Sequence, residues 1–436
     1  MRGVFALLLI VSLAFADKTL DRANAVFDSG NYKEAARLFT QVIETDKNNA
    51  EAYYGRGNSY NHLGKYPLAL PDLNRAIELD LKNAKVYYSR GVSLYFTGDP
   101  QKAIPDYTEA IRLDPKIAKY YYNRGGTYWE LGELEQAISD YTATIKLNPK
   151  FLAAYNNRGN AYRQLNEDQK AIDDYNKAIE RSATYALAYR NRGITYAKLN
   201  DHKKAIKDLT RAIRLEPEDT PNYYYRGDSY KALNDYQKAI DDYTEAIKLN
   251  PKHTNAYLYR GYSYTELNDH AKAIADYTQA ITLDPKNAST YYARGYLYKE
   301  LGDHTKAIAD YTQTIALDQN HTKAYRGRGL SYSELGDREN AIADYTQATK
   351  IDPNDTSAYY NRGLEYVRAG DRKRAIENWT QAIKIDPNFA MAYNNRAVAY
   401  AEIQDYKKAT LDAQKACELG NCTALDWMKR KGMISK

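Results

Sequence analysis

The chain has 436 residues, of which 44% are hydrophobic and 27% are charged, a composition typical of a folded soluble protein. Its formal net charge of +6 is small for this length, and basic and acidic residues alternate throughout, which argues against a nucleic-acid partner. The unusual value is the count of 45 tyrosines against 7 phenylalanines, which indicates that tyrosine has a recurring structural use.

The first sixteen residues have the layout of a secretory signal peptide. Arg2 gives a basic start, residues 4–13 form an apolar run, and residues 14–16 read AFA, the small–x–small pattern of a cleavage site. The alternative is a membrane anchor, but a spanning helix needs roughly 20 apolar residues and this run is shorter. We therefore expect cleavage before Asp17, no stable membrane insertion afterwards, and a protein that is exported, either periplasmic or secreted.

From Ala16 onward the sequence repeats every 34 residues, twelve times in phase, as far as Thr423. Position 7 is arginine and position 20 is alanine in all twelve repeats. Position 8 is glycine in ten repeats, position 4 is tyrosine in eleven and position 11 is tyrosine in ten. A fixed period of this length indicates stacked structural units, so residues 17–423 are assigned to one array that follows the signal peptide, residues 1–16.

Each repeat is predicted to contain two helices. Positions 4, 8 and 11 share one helical face, as do positions 20, 24 and 27. Position 15 is glycine or asparagine in eleven repeats, which suits a left-handed residue at a helix end, and proline at position 32 of seven repeats ends the second helix. Glycine at position 8 can face alanine at position 20, as Gly125 would face Ala137. Because one helix pair cannot bury its apolar face alone, we predict an all-α solenoid.

The pattern Y-x-x-R-G-x-x-Y … A-x-x-x-Y … P resembles the tetratricopeptide repeat in its period and at seven anchor positions. Two positions depart from the family pattern, since position 4 is tyrosine instead of tryptophan and position 7 is arginine instead of leucine. The resemblance implies a right-handed superhelix of helix-turn-helix repeats, with a concave groove lined mainly by the first helix of each repeat. Capping of the array is also expected, and residues 424–436 are predicted to form a C-terminal capping helix.

The arginine at position 7 is predicted to lie between the helix layers. It is roughly opposite positions 2, 5, 9 and 12, which vary most between repeats and are assigned to the groove. A buried guanidinium needs a partner, and position 23 is aspartate in ten repeats. The alternative, a line of arginines for a polyanion, is disfavoured because each arginine has a candidate carboxylate. The predicted structural ion pairs include Arg56 with Asp72, Arg124 with Asp140, and Arg226 with Asp242.

The groove positions hold clusters of aromatic and amide side chains. Aromatic residues concentrate in repeats 2–4 and in repeats 7–9, while repeats 5 and 6 are polar and basic and include Lys198. Asparagine at position 6 of three consecutive repeats is similar to the asparagine ladder by which some tetratricopeptide superhelices hold a peptide backbone. The alternative is that these side chains pack on one another. The predicted groove residues are Tyr54, Tyr88, Tyr95, Tyr122, Asn123, Trp129, Asn156, Asn157, Asn160, Arg163, Arg190, Asn191, Tyr224, Tyr262, Tyr292 and Tyr296.

Cys417 and Cys422 form a close pair near the C-terminus. In an oxidising compartment such a pair is expected to form a disulfide, and the alternative is two free thiols. No histidine is near them, so they make a poor zinc site. The sequence contains no phosphate loop, nucleophile motif or metal-ligand spacing, and we expect no enzyme activity, no cofactor and no metal.

These features predict a non-enzymatic scaffold or adaptor of the cell envelope that binds an extended protein or peptide segment in its groove. Aromatic and arginine residues are the types enriched where interfaces gain most of their binding energy. The alternative function is glycan binding, in which the tyrosine-lined groove holds an envelope polysaccharide against aromatic faces.

Overall fold

The computed structural model describes residues 17–434, and the predicted signal peptide, residues 1–16, lies outside the described residues. Every regular element within the described part is an α-helix, and none of these helices is long and apolar enough to span a lipid bilayer. The helix α25 is shorter than the predicted capping segment, residues 424–436, of which the last two lie outside the described range. In chain order the helices are α1 (17–28), α2 (Tyr32–Thr45), α3 (Ala50–His62), α4 (Tyr66–Glu78), α5 (Ala84–Phe96), α6 (Pro100–Leu113), α7 (Ala118–Glu130), α8 (Leu134–Leu147), α9 (Leu152–Gln164), α10 (Asp168–Arg181), α11 (Ala186–Lys198), α12 (His202–Leu215), α13 (Thr220–Ala232), α14 (Tyr236–Leu249), α15 (Thr254–Glu266), α16 (His270–Leu283), α17 (Ala288–Glu300), α18 (His304–Leu317), α19 (Thr322–Glu334), α20 (Arg338–Ile351), α21 (Thr356–Arg368), α22 (Arg372–Ile385), α23 (Ala390–Glu402), α24 (Tyr406–Glu418) and α25 (Thr423–Arg430).

The chain divides into two compact units, Met1–Asn222 and Tyr223–Lys436, and the boundary falls within α13. Inside each unit consecutive helices pack as pairs, for example α5 on α6 and α17 on α18, which confirms the predicted all-α architecture of helix pairs. The first helices of successive repeats also contact one another, as α5 contacts α7 in the first unit and α15 contacts α17 in the second. We call the surface formed by these first helices the first-helix face of each unit.

The turn between the two helices of a repeat is set by position 15. Gly132 has a φ of +79° and Asn200 has a φ of +61°, the left-handed conformation that glycine and asparagine adopt at least cost. In repeat 6 the residue after Asn200 then caps the second helix, as Asp201 Oδ1 accepts a hydrogen bond from the backbone nitrogen of Lys204 at 3.1 Å. Two adjacent residues therefore end one helix and cap the next.

The core between the two helices is built from small and aromatic side chains. Ala137, at position 20, is 0% exposed and Tyr141, at position 24, is 1% exposed. A Cβ atom on Gly125 would lie 3.1 Å from the Cβ of Asp140 and 3.2 Å from the Tyr141 ring. The glycine at position 8 is therefore closest to positions 23 and 24, and not to the alanine side chain at position 20 that the sequence suggested.

The C-terminal end of the second unit is closed by α25. A disulfide joins Cys417, in α24, to Cys422, immediately before α25. Met428 of α25 is fully buried against the last repeat, and Asn394 Oδ1 accepts a hydrogen bond from the backbone nitrogen of Ala424 at 2.8 Å. The short helix thus covers apolar surface that would otherwise face water.

Replacing both cysteines by serine is expected to loosen α25 and to leave the other repeats intact. The disulfide closes a short loop, so its loss should cost about 2 kcal/mol. Because units of a solenoid contact only their neighbours, the loss should stay at the chain end. Hydrogen exchange should show faster exchange in α25 with unchanged protection in α5–α12, and unchanged protection of α25 would contradict this expectation.

Candidate functional site

A row of arginine–aspartate pairs runs between the first and second helices of the repeats. Each arginine donates to both carboxylate oxygens of its partner through two nitrogens, a geometry that gives strong, oriented ion pairs. In the three pairs predicted from the sequence, the aspartates are buried and the arginine side chains are 17–19% exposed. Three of these pairs are Arg56–Asp72 at 2.7 Å, Arg124–Asp140 at 2.8 Å and Arg226–Asp242 at 2.6 Å.

The same arginines also join neighbouring repeats, a role that the sequence analysis did not assign. Arg124 Nη1 donates to the hydroxyl of Thr108, at position 25 of the preceding repeat, at 2.9 Å. Its guanidinium also lies 6.0 Å from the ring centre of Tyr121. Each such arginine therefore connects three helices. The sequence contains an indication of this link between repeats, because threonine recurs at position 25.

The pKa values of two arginines follow from their partners. The hydrogen bonds with Asp72 raise the pKa of Arg56 above its ordinary value although burial acts in the opposite direction. Arg362 instead donates to the neutral amide of Asn378 at 2.7 Å, and burial lowers its pKa. In repeats 2–12 the guanidinium groups at position 7 bond to acceptors within the protein, as those of Arg56 and Arg362 do.

A pocket of ≈ 300 Å³ opens on the first-helix face of the first unit, and we call it the aromatic pocket. Its rim contains Trp129 and Phe96, which are 44% and 57% exposed, and its floor contains the buried rings of Tyr107 and Tyr141. Helices α5, α7 and α9 contribute most of the lining, since they are adjacent first helices. The lining residues are Tyr95, Phe96, Tyr107, Tyr122, Asn123, Gly126, Thr127, Trp129, Tyr141, Asn157 and Asn160.

The pocket exists because Gly126 has no side chain. It occupies position 9, where other repeats have larger residues such as Val92, Ile194 and Leu330. A Cβ atom on Gly126 would meet the Tyr141 hydroxyl at 3.8 Å, an ordinary van der Waals contact. A larger side chain would therefore fit the helix and fill the space above Tyr141. Gly126, the second of two adjacent glycines after Arg124, thus leaves the space that forms the pocket.

The polar groups of the pocket are amides and hydroxyls that are partly engaged. Asn157 Nδ2 donates to the Tyr122 hydroxyl at 3.0 Å, and Asn160 Oδ1 accepts from the Tyr175 hydroxyl at 2.8 Å. Burial and the neighbouring Glu130 carboxylate raise the pKa of Tyr95 to about 12, so its hydroxyl keeps its proton at neutral pH. The site can offer hydrogen bonds but no charge of its own.

The asparagines at position 6 bond within the protein. Asn123 Nδ2 donates to the Tyr88 hydroxyl at 2.8 Å, across one repeat, as Asn157 does to Tyr122. Asn191 and Asn156 bond to each other at 2.8 Å and are 7% and 5% exposed. Two predicted groove residues, Asn156 and Asn191, are therefore buried, and Asn123 and Asn157 each donate one hydrogen bond to a tyrosine of the preceding repeat.

In several repeats the side chain at position 5 packs on the loop residue at position 34 of the same repeat. The Tyr122 ring centre lies 4.7 Å from that of Phe151, and Arg190 Nη1 lies 2.6 Å from Asp219 Oδ2. The loop thus covers this part of the first helix. The Arg190 cation, predicted to line the groove, is neutralised by Asp219.

In the second unit, position 5 shows the same arrangement. Tyr224 and Tyr292 pack on His253 and His321, with ring centres 4.8 and 4.7 Å apart. These two predicted groove tyrosines are half-buried against their own loops.

Other predicted groove residues have mixed surroundings. Tyr54 is half-buried, and Arg163 is half-buried with its Nη1 atom enclosed and without a hydrogen-bond partner among the described residues. Lys198 pairs with Asp168 at 2.9 Å. Repeats 5 and 6 are therefore less basic at their surface than their composition indicates.

Exposed aromatic residues of the second unit lie at position 9. Tyr262 and Tyr296 are 45% and 43% exposed, and they belong to the adjacent helices α15 and α17. Lys299 Nζ lies 4.7 Å from the ring centre of Tyr296. These tyrosines offer an accessible surface, which differs from the enclosed space of the aromatic pocket.

Five pocket residues were missed in the sequence analysis, namely Phe96, Tyr107, Gly126, Thr127 and Tyr141. Phe96 follows the assigned groove position by one residue, and Tyr107 lies on the second helix, where tyrosine was assigned to the core. Gly126 was missed because it has no side chain, and the groove residues were predicted from their side-chain types. Its signal was visible, as the only glycine at position 9 of the repeats.

Comparisons with protein families match almost the whole repeated region. Models described as tetratricopeptide repeat match residues 20–84, 84–117, 118–151, 152–185, 186–219, 223–253 and 288–321. A further model, described as TPR repeat, matches residues 261–302, 331–370 and 363–404. Among curated proteins, none matches the chain significantly.

Several solved structures are similar to the chain. YrrB, a TPR protein with an unusual peptide-binding site, is 24% identical over 43% of this chain and 97% of its own, with a TM-score of 0.40. The APC/C hetero-tetramer Cut9–Hcn1 is 16% identical over 94% of both chains, with a TM-score of 0.44. A tetratricopeptide repeat protein from Parabacteroides merdae is 21% identical over 57% of this chain and 98% of its own, with a TM-score of 0.43.

Proposed function

Because the chain belongs to the tetratricopeptide repeat family, whose repeats form scaffolds typical of protein–protein interaction, we propose that it binds a partner protein through an extended segment. The segment lies along the first-helix face of the first unit, and one large apolar side chain of the partner enters the aromatic pocket. The observation that carries this proposal is the pocket itself, which an absent side chain at Gly126 opens between aromatic walls.

The chemistry of the pocket suits an anchoring side chain. Aromatic walls bury a large apolar group, and aromatic residues are enriched where interfaces gain most of their binding energy. The pocket volume, ≈ 300 Å³, is at the small end of the range for ligand sites, which fits one side chain better than a whole cofactor. The amides of Asn157 and Asn160 lie at the pocket and suit the hydrogen-bonding groups of a peptide backbone.

We propose a binding role in preference to catalysis. The lining groups are amides, a threonine hydroxyl and phenols, and burial raises the pKa of Tyr141 as it does that of Tyr95. None of these groups titrates near neutral pH, so none suits general acid–base chemistry there. Tetratricopeptide repeat proteins are generally non-enzymatic scaffolds, in keeping with this assignment.

The proposed location is the cell envelope, after export. The basic start, apolar run and small–x–small pattern of residues 1–16 support a signal peptide. The disulfide between Cys417 and Cys422 is of the kind that persists in an oxidising compartment. Mass spectrometry of the protein recovered from a periplasmic or secreted fraction tests the location, since an N-terminus other than Asp17 would contradict it.

Changing Gly126 to leucine is expected to abolish partner capture without loss of stability. The new side chain fills the aromatic pocket, while its Cβ meets the Tyr141 hydroxyl at an ordinary distance. Affinity-purified protein should capture its partner from envelope extract, and the variant should lose at least about tenfold in affinity, or 1.4 kcal/mol. Ile194→Leu is the matched control at the same position of repeat 6. Equal capture by both variants would overturn the proposed site.

Glycan binding is the alternative that the exposed Trp129 ring favours, because sugar rings stack on accessible aromatic faces. A polysaccharide array distinguishes the two functions. Trp129→Ala is the informative variant, since Trp129 is 44% exposed, whereas Tyr122 packs on Phe151 and its loss would disturb the fold. If Trp129→Ala abolishes glycan capture and spares protein partners, the peptide assignment fails.

A further inference from the structure

Two helices of the first unit carry a lysine in their first turn and an aromatic residue in their last turn. Helix α5 has Lys85 and Tyr95, and α7 has Lys119 and Trp129. These residues occupy positions 2 and 12 of their repeats, and repeats 3 and 4 are the ones that combine lysine with an aromatic residue there. The two aromatic residues line the aromatic pocket.

The two lysines line a second space of ≈ 630 Å³, which we call the lysine cavity. Lys119 Nζ lies 4.7 Å from the ring centre of Tyr88 and 5.8 Å from that of Tyr120, so its ammonium group is held against aromatic faces. Tyr88, Tyr120, His62 and Asp114 also line this cavity.

The lysine cavity carries two ammonium groups against one carboxylate, that of Asp114. Neither Lys85 nor Lys119 forms an ion pair with a described residue. Burial and, secondly, Lys85 lower the pKa of Lys119, and burial with Lys119 lowers the pKa of His62. The acidic lining residue, Asp114, accepts a hydrogen bond from the backbone nitrogen of Lys116 at 3.3 Å. A negatively charged ligand group would relieve this repulsion.

The lysine cavity and the aromatic pocket adjoin each other. Asn123 lines the pocket, Tyr88 lines the cavity, and Asn123 Nδ2 donates to the Tyr88 hydroxyl at 2.8 Å. On α7, Lys119 and Trp129 are ten residues apart, which is about 15 Å along a helix axis. An extended chain covers this distance in roughly four to five residues at about 3.3 Å each.

We infer that the partner segment carries an acidic side chain for the lysine cavity and an aromatic or large aliphatic side chain for the aromatic pocket, roughly four to five residues apart. This inference rests on the proposed function and adds the chemistry of the partner. The acidic side chain lies at the first turns of α5 and α7, where the helix dipoles also favour negative charge. The two sites place the bound segment along α5 and α7, from their first turns towards their last turns.

The test uses labelled glycine–serine peptides that contain one tryptophan and one glutamate in either order and at varied separation. Fluorescence anisotropy with the whole protein should give the tightest binding at a separation of roughly four to five residues, in one order of the two residues. Affinity that does not depend on separation overturns the inference. Tighter binding of an oligomer of uronic acids than of any peptide also overturns it, in favour of an anionic polysaccharide.

Matched variants separate this inference from the proposed function. Lys85→Gln with Lys119→Gln should weaken the best peptide by about tenfold or more, and should not weaken its glutamate-to-glutamine analogue. Lys323→Gln, at position 2 of repeat 10, is the control and should change neither peptide. One outcome is that Gly126→Leu weakens both peptides while the lysine variant weakens both or neither of them. That outcome supports binding at the aromatic pocket and contradicts the acidic side chain of the inferred motif. If Gly126→Leu weakens neither peptide, the proposed function falls. Melting of each variant at or above the temperature of the unchanged protein shows that loss of folding is not the cause.

Discussion

Replacing Arg260 by leucine is expected to lower the free energy of unfolding by about 3–5 kcal/mol. Arg260 donates to both carboxylate oxygens of Asp276 at 2.8 Å and to the Thr244 hydroxyl at 3.0 Å. Asp276 is 6% exposed, so the change leaves a buried carboxylate without its counter-charge. It also breaks a link to the preceding repeat. Urea denaturation followed by circular dichroism measures the effect.

The matched control is Asp276→Asn, which reproduces the natural pair of Arg362 with Asn378. An amide still accepts one hydrogen bond, so we expect a smaller loss, about 1–2 kcal/mol. Partner capture should persist in both variants, because the guanidinium lies between the helix layers of the second unit. Loss of capture with unchanged melting would show that these arginines bind the partner, and the architectural assignment would fail.

The repeat frame made the fold predictable because each position has one structural role in every repeat. Alanine at position 20, for example Ala137, must be small where two helices approach, and glycine or asparagine at position 15 must adopt a left-handed conformation. These constraints are local and steric. They can therefore be read from residue type and spacing, which also identified the tetratricopeptide repeat.

The accessible side chains of the candidate site were less predictable than the fold. Placing residues around a helix axis by their spacing takes no account of the loops that cover the helix. It places position 5 on the open face, yet the loop residue at position 34 lies over that part of the helix. Tyr122 packs on Phe151 and Arg190 pairs with Asp219, so neither side chain projects freely. Positions near the end of the first helix, such as Trp129, remain accessible.

Gly126 is a functional candidate that the sequence alone does not reveal. A glycine next to the glycine at position 8 looks like a small variation of the repeat, and only the arrangement of Tyr141, Trp129 and Phe96 around it shows that a pocket results. The pocket is defined by side chains from three repeats. Its shape depends on their packing, which no single repeat specifies.

The two adjacent glycines of repeat 4 are expected to respond to leucine in opposite ways. Gly125→Leu should destabilise the protein by about 3 kcal/mol or more, because its Cβ would lie 3.1 Å from Asp140 Cβ and further atoms would enter the packed Tyr141 ring. Gly126→Leu should stabilise the free protein by about 0.5–1 kcal/mol, since leucine favours helix and the pocket has room for it. Urea denaturation of both variants measures the difference.

This pair of variants separates packing from binding within one turn of α7. Asp140 cannot move away from a side chain at Gly125 at small cost, because Arg124 holds both of its carboxylate oxygens. At Gly126 the nearest neighbour is the Tyr141 hydroxyl, and beyond it lies the pocket. Gly126→Leu should therefore fold more stably and bind the tryptophan-containing peptides less tightly. A destabilised Gly126→Leu protein, or a Gly125→Leu protein that melts normally, would contradict this account of the pocket.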